Sequence, residues 1–293
     1  MPTLAEVFSA DGLLSRSIPG YRLRAQQLEM AERIAAALKG NKVLVAEAGT
    51  GTGKTFAYLV PALLSGGKVI VSTGTKTLQD QLFGRDLPAV RDVLGAPVKI
   101  ALLKGRANYL CHYHLERTLD EGRFLTREAI THAQRIGRFA KITRTGDKAE
   151  CAGVPENSAV WPMVTSTRDN CLGQDCPYYQ DCFVLAARRD AMAADVVVVN
   201  HHLFFADVML RDEGTAELLP ACNAVIFDEA HQLPETASLF FGENVSTAQV
   251  LDLTHDARTE GIVSARDCLD LPKLCASVEK AAKDLRLTLP VEP

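Results

Sequence analysis

A glycine-rich segment near the N-terminus has the residue types of a phosphate-binding loop. It lies between the apolar stretches 42–46 and 56–60, and it reads Ala48, Gly49, Thr50, Gly51, Thr52, Gly53, Lys54, Thr55. Glycines let backbone N–H groups turn around phosphates, and the start of a helix adds its positive dipole end. Lys54 is then expected to reach the β- and γ-phosphates of ATP, and the Thr55 hydroxyl to bind Mg²⁺. The pattern predicts a buried strand at 42–46, then a nucleotide-binding loop and a helix.

A second apolar stretch, 224–227, runs directly into the acidic sequence Asp228-Glu229-Ala230-His231. An acidic pair after a strand is by itself an ordinary strand end, but a phosphate-binding loop needs an acidic partner for its metal ion. We therefore expect Asp228 to bind Mg²⁺ and Glu229 to orient or deprotonate the attacking water. His231 could sense the γ-phosphate.

Half of the eight cysteines form a third pattern, Cys111-x59-Cys171-x4-Cys176-x5-Cys182. Three cysteines within twelve residues, on a polar and turn-rich segment, suit a loop wrapped around an inorganic centre. Zinc is a rival to an iron–sulfur cluster, because four thiolates in a tetrahedron suit it and these spacings only weakly disfavour it. The other thiols do not join the pattern: Cys151 is a possible decoy ligand, and Cys222, Cys268 and Cys275 are interpreted as buried or surface thiols.

These motifs together resemble those of superfamily 2 helicases. The general phosphate-loop pattern has glycine where this sequence has Ala48, and alanine is usual there in that superfamily; Asp228–His231 matches its DEAH box. The cysteine pattern between the two ATP motifs is similar to that of the DinG/YoaA branch of the XPD-like helicases, as are the sequences 103–111 and 161–167.

The resemblance implies roles for further residues. Gln27 would read adenine in a Q motif, and the segment 73–76 would track single-stranded DNA as motif Ia. The adjacent residues His201 and His202 are interpreted as structural rather than metal-ligating. The cysteines would ligate a [4Fe–4S] cluster, and this set is Cys111, Cys171, Cys176 and Cys182.

The organisation follows from the 173 residues that separate Thr55 from Asp228, which is too far for neighbouring strands with short connections. The resemblance implies an α/β fold with a RecA-like parallel sheet, an inserted and mainly helical Fe–S domain, and the start of a helical arch. The expected domains are 1–105 and 190–232 for the motor, 106–189 for the insertion and 233–293 for the arch. A second RecA-like lobe should follow, so we expect only the N-terminal half of such a protein, with little activity alone.

Composition fits this picture. The 293 residues are 47% hydrophobic and 23% charged, as in ordinary globular chains of about two domains. The first 110 residues carry 14 Lys and Arg against 8 Asp and Glu, so this third could face a polyanion. We expect no membrane partner and a cytoplasmic location, nucleoid-associated if the source is bacterial.

The expected function is therefore the N-terminal half of an ATP-dependent 5′–3′ DNA helicase that uses ATP, Mg²⁺ and a [4Fe–4S] cluster. Its partners would be single-stranded and forked or duplex DNA, with replication or repair proteins as further candidates. Two alternatives stay open. One is a P-loop ATP-binding module with a structural zinc site that acts through protein partners, and the other is an inactive remnant.

Overall fold

The computed structural model describes residues 2–49, 51–122, 124–168, 170–212, 214, 217–242 and 246–288. The chain divides into two compact units, residues 1–240 and 241–293. Across the described residues, none of the helices combines the length and apolar character that crossing a membrane requires.

A parallel sheet organises the first unit, in agreement with the predicted α/β class. Its strands pair in the order β2-β3-β1-β4 among the described residues. Val71 in the central strand lies opposite Val198 on one side and Ile226 on the other. Because all pairs are parallel, the carboxyl ends of the strands meet at one edge of the sheet. The strands are β1 (Val69–Thr73), β2 (Ile100–Leu102), β3 (Val196–Asn200) and β4 (Ala224–Phe227).

The prediction of a buried strand at 42–46 is wrong for this structure. The segment has no strand hydrogen bonding, and Val43 and Val45 are 94% and 91% exposed. A strand needs a neighbour along its edge, and within the described part of the chain β4 is the last strand on that side and pairs only with β1. Within the described residues, nothing supplies the hydrogen bonds that would make this apolar segment part of the sheet.

Helices cover both faces of the sheet because successive strand residues point to opposite sides. Val69 and Val71 pack in one apolar cluster, and Ile70 packs in another with residues that include Val197. The helices before the insertion are α1 (Leu4–Phe8), α2 (Leu13–Ser17), α3 (Ala25–Lys39), α4 (Lys54–Leu64), α5 (Lys76–Gln81) and α6 (Leu87–Leu94), with a π-helical turn at Leu82–Asp86.

The chain between β2 and β3 has its own apolar core, and it forms the crossover connection that a parallel pair requires. Trp161 is 2% exposed, and its indole N–H donates to the Pro155 carbonyl at 3.0 Å. The helices are α7 (His112–Glu121), α8 (Arg127–Phe139), α9 (Trp161–Val164) and α10 (Phe183–Ala193), with 3₁₀ turns at Arg106–Asn108, Lys148–Glu150 and Gly173–Asp175. The boundaries 105/106 and 189/190 stay predictions.

The remaining elements are helical apart from β4. Two helices, α11 (His201–Asp212) and α12 (Leu233–Phe241), flank β4 in sequence, and a 3₁₀ turn (Ala230–Gln232) precedes α12. In the second unit, α13 (Thr247–Ser264) packs against α14 (Leu271–Thr288). Arg258 and Glu279 join these two helices by an ion pair of 3.1 Å.

The glycine at 146 is a sharp test of the core of the inserted segment. Gly146 and Gly122 both have left-handed backbones, with φ of 67° and 61°, but only at Gly146 would a Cβ collide with the Phe183 ring. We expect Gly122→Ala to lower the free energy of unfolding by about 1 kcal/mol through backbone strain alone. Gly146→Ala should cost about 3 kcal/mol, since overpacking is added. Chemical denaturation measures both, and equal losses would contradict the packing argument.

Candidate functional site

Two glycines shape the loop before α4. Gly51 and Gly53 have φ of 77° and 82°, in the left-handed region that glycine adopts without steric cost. Gly53 is the residue at which the chain turns into α4, so the helix begins at Lys54 with its first backbone N–H groups directed toward the loop. The local sequence therefore builds the predicted helix start after the loop, and its binding of phosphate stays a prediction.

The side chains of the loop fold back on its own backbone. The Lys54 ammonium donates to the Ala48 carbonyl at 3.1 Å, and the Thr52 hydroxyl donates to the Gly49 carbonyl at 2.9 Å. Lys54 thus lies over the loop, where a bound phosphate would meet its charge. Thr50, also predicted to bind nucleotide, lies outside the described residues.

The side chain of Gln27 is buried against the nucleotide loop and hydrogen-bonds to its backbone. It is 3% exposed, its amide N–H donates to the Gly53 carbonyl at 2.9 Å, and its amide oxygen accepts from the Tyr21 hydroxyl at 3.1 Å. A Cβ at Gly53 would collide with this amide. The structure places Gln27 beside the loop, and its adenine-reading role stays a prediction. Its contact with Gly53 was not foreseen from the sequence.

The acidic strand end lies at the same site. The Asp228 backbone N–H donates to the Ser72 carbonyl at 2.8 Å, which continues the pairing of β4 with β1. The hydroxyl of Tyr58, in α4, donates to Asp228 Oδ2 at 3.3 Å and also contacts the Thr55 hydroxyl. The two predicted Mg²⁺ ligands, Thr55 and Asp228, therefore meet around one tyrosine. Sequence reasoning missed Tyr58 because it looked like another apolar residue of the helix.

Electrostatics mark Asp228 as the unusual carboxylate. Burial raises its pKa and the neighbouring charge of Glu229 raises it further, whereas the hydrogen bond from Tyr58 and, to a smaller extent, the Lys54 charge lower it; the net pKa is raised. Burial and then the Asp228 charge raise the pKa of Tyr58, so its hydroxyl stays protonated and available as a donor. A cation placed between Thr55 and Asp228 would relieve this unfavourable burial of negative charge.

Glu229 and His231 form the outer part of the site. Glu229 has a left-handed backbone with φ of 55°, a conformation that costs free energy in a non-glycine residue and is found at functional sites. His231 Nδ1 lies 3.4 Å from Glu229 Oε2, and the His231 side chain is 70% exposed. Both polar groups are thus accessible to a nucleotide and to water.

His201 lies beneath this turn. It is 1% exposed, its Nδ1 is 2.7 Å from the Ser72 hydroxyl, and its Nε2 has no hydrogen-bond partner among the described residues. Burial lowers its pKa, so the ring stays neutral. This placement agrees with the structural interpretation of the histidine pair.

The predicted DNA-contacting segment follows β1 at the same edge of the sheet. Thr75 begins α5 by accepting the Leu78 backbone N–H at 3.2 Å, and the neighbouring Lys76 is exposed. Gly74 faces the side chain of Gln232, so close that a Cβ would displace the amide. Gln232 directly follows His231, so the acidic motif and the predicted DNA segment are in contact.

The four predicted cluster ligands line one cavity of about 130 Å³ in the inserted segment. Cys111 and Cys182 each immediately precede a helix, α7 and α10, where the positive helix end favours a thiolate. Cys171 and Cys176 lie on either side of a 3₁₀ turn. Arg106 and Arg188 line the same cavity and add positive charge.

Charges around the cavity act on individual thiols. Burial raises the pKa of Cys171, but hydrogen bonds from the Gly173 backbone N–H and from Arg106 outweigh it, so the net pKa is lowered. Burial raises the pKa of Cys111, and the charges of Cys176 and Cys182 add to it. The described part of the chain nevertheless contains no group of three or more His, Cys, Asp or Glu side chains arranged to hold a metal ion.

The parallel sheet, the loop at the start of α4 and the acidic end of β4 define a P-loop nucleotide-binding domain of the DEAD/DEAH type. The sequence matches the DEAD/DEAH box helicase family over residues 26–108, for which ATP and Mg²⁺ are the expected ligands. The chain belongs to the DinG/YoaA-type helicases.

Individual relatives show how far the likeness extends. The chain is 47% identical over 286 residues to the ATP-dependent DNA helicase YoaA of Haemophilus influenzae, covering 98% of this chain and 45% of that protein. It is 36% identical over 255 residues to the ATP-dependent helicase DinG of Mycobacterium tuberculosis, covering 79% of this chain and 37% of that protein. A solved XPD helicase aligns with 92% of this chain and 41% of its own, at 17% identity and a TM-score of 0.46. The chain thus spans less than half the length of these relatives.

The raised pKa of Asp228 predicts how stability depends on pH. The folded state binds this proton more tightly than the unfolded state, so the contribution to stability is present at low pH and is lost as pH rises through the folded pKa. Asp228→Asn should therefore be more stable than the wild type at pH 7. The difference should vanish below about pH 3.9, the usual aspartate pKa.

Thermal unfolding between pH 3.5 and pH 8 measures this effect. Asp92→Asn is the matched control, because Asp92 is 68% exposed and paired with Arg91. A loss of stability in Asp228→Asn at pH 7 would contradict the argument.

Proposed function

We propose that this chain is the part of an ATP-dependent DNA helicase that binds ATP and carries the acidic residues for its hydrolysis. The supporting observation is that the Tyr58 hydroxyl joins Asp228 to the first turn of α4, which carries Lys54 and Thr55, although Tyr58 and Asp228 are 170 positions apart in the sequence. The relatives whose printed names are ATP-dependent DNA helicases cover almost the whole chain. We propose that this chain contributes to an activity of the kind for which these longer relatives are named.

The residues divide the work of phosphoryl transfer. The loop backbone and Lys54 bind the β- and γ-phosphates, and Thr55 and Asp228 hold Mg²⁺. When bound, Mg²⁺ neutralises charge on the phosphate oxygens. Glu229, free of the strand and next to accessible space, orients or deprotonates the attacking water. His231, in contact with Glu229, senses whether the γ-phosphate is present.

The DNA strand passes the segment 73–76 at the carboxyl edge of the sheet. Exposed Lys76 and the capped start of α5 contact phosphates without reading bases. Gln232 against Gly74 lets the ATP site respond to this contact. The family resemblance supplies three further parts of the proposal. Translocation is 5′ to 3′ on single-stranded DNA, and forked or duplex DNA is unwound. Replication or repair proteins are the proposed protein partners.

The cysteine cavity holds a [4Fe–4S] cluster, with Cys111, Cys171, Cys176 and Cys182 as its ligands. A single zinc ion with Zn–S bonds of about 2.3 Å requires thiolates about 3.8 Å apart, whereas a cluster places iron and sulfide between them. The four thiols line a common cavity, and the choice of a cluster over zinc comes from the family resemblance. When bound, the cluster cross-links three loops of the insertion. Arg106 and Arg188 offset the negative charge of the thiolates.

Nucleotide binding by this chain tests the ATP site. We expect Lys54→Ala to weaken binding of a fluorescent ATP analogue in the presence of Mg²⁺ by about tenfold or more, since a charge-assisted contact to phosphate is lost. Glu229→Gln should bind the analogue normally, because Glu229 is proposed to act on water and not to hold the nucleotide. Lys39→Ala, which removes an exposed lysine of α3, is the control. Equal binding by the wild type and Lys54→Ala would refute the assignment.

Spectroscopy of anaerobically purified protein tests the cluster. A brown protein with broad absorbance near about 400 nm, together with iron and sulfide, is the expected result. Cys176→Ser should lose most of this signal, and Cys268→Ser, which changes an exposed cysteine outside the cavity, should keep it. A colourless protein with stoichiometric zinc would refute the cluster and favour a structural zinc site.

A further inference from the structure

A buried lysine joins the helix of the predicted DNA segment to the inserted segment. The Lys104 side chain is 3% exposed, and its Nζ lies 2.6 Å from Asp80 Oδ1 and 2.6 Å from Asp147 Oδ2. Asp80 belongs to α5, and Asp147 lies in the crossover between β2 and β3. One ammonium group therefore holds two parts of the molecule that are 67 positions apart in the sequence.

Each member of this triad is fixed by further contacts. The Lys104 backbone N–H donates to the Tyr109 hydroxyl at 3.0 Å, and Tyr109 pairs with Asp147 through an antiparallel backbone bridge. The second oxygen of Asp147 accepts the Ala149 backbone N–H at 3.0 Å. Burial lowers the pKa of Lys104, but the hydrogen bonds that its ammonium donates to Asp147 and Asp80 outweigh it and the net pKa is raised, so the lysine stays charged.

Two further lysines lie beside the triad. Lys76 precedes Asp80 by one helical turn, so the two residues share a face of α5. Lys148 directly follows Asp147, and burial together with the Lys76 charge lowers its pKa. Lys76 and Lys148 thus lie on the two sides of the junction that Lys104 holds. Their like charges act on each other, and the charges of Glu156 and Asp147 offset part of that repulsion.

We propose that Lys104 is a positioning residue that sets Lys76 and Lys148 at the spacing of a two-lysine site for the phosphodiester backbone of one DNA strand. This inference rests on the proposed DNA-binding function and extends it to the inserted segment. Lys104 itself is buried and does not touch DNA. Its two carboxylate partners carry the positioning, because Asp80 orients α5 and Asp147 orients the turn that bears Lys148.

The sharpest variant is Asp80→Asn, which cuts the link to α5 and leaves the buried pair of Lys104 and Asp147 intact. Asp80 is 42% exposed, so the fold tolerates the change better than a substitution of Lys104. Simple electrostatics predicts tighter DNA binding when a negative charge is removed. Positioning predicts the opposite, about fivefold weaker binding, with a slope of log Kd against log salt reduced by about 0.7 for one lost phosphate contact. Asp92→Asn is the control with the same charge change.

Fluorescence anisotropy with a labelled oligothymidine at several salt concentrations, well below the melting temperature, gives both quantities. Lys76→Ala and Lys148→Ala should each reduce the slope by about 0.7, and Lys76→Ala should have a smaller effect when combined with Asp80→Asn. Tighter or unchanged binding by Asp80→Asn would overturn the positioning role while leaving the proposed function in place. No binding by the wild type would overturn both.

Discussion

The central position of β1 in a parallel sheet is the constraint on which the chemistry of this chain depends. Since β3 and β4 pair with β1 in parallel, His201, the predicted DNA segment and Asp228 all follow strands that end at one edge. Residues separated by most of the sequence therefore become neighbours without any specific attraction between them. The insertion is accommodated because a crossover between β2 and β3 can be of any length, provided that it packs around a core of its own.

Tyr58 shows how this edge is made suitable for a divalent cation. Its buried hydroxyl brings the first turn of α4 to the end of β4 and donates to Asp228. This hydrogen bond lowers the pKa of Asp228, but burial and the Glu229 charge raise it by more, so the net pKa is raised. A cation that neutralised the buried Asp228 carboxylate would remove the cost of burying its charge, and the relief would add to the free energy of cation binding. With a fully solvated Asp228, the protein would be more stable without a cation and would bind the cation less tightly.

The sequence was informative wherever one residue type has one use. The glycine-rich loop predicted a turn into a helix, and the apolar stretch before Asp228 predicted a strand that ends at the site. It was misleading at Val43–Val45, because strand formation depends on a neighbouring strand that local sequence does not reveal. It was silent about Tyr58, Gln232 and Lys104, whose partners are distant in sequence and whose residue types are ordinary on a helix or in a loop.

The exposed side chains of Val43 and Val45, beside the nucleotide loop, have a practical consequence for experiments with this protein. Val43 and Val45 are almost fully exposed beside the nucleotide loop, and an exposed apolar surface favours association with other molecules. We therefore expect residues 43–45 to contribute to any self-association of concentrated samples. A loss of nucleotide binding in concentrated samples would then indicate association between molecules rather than a defect in the nucleotide site.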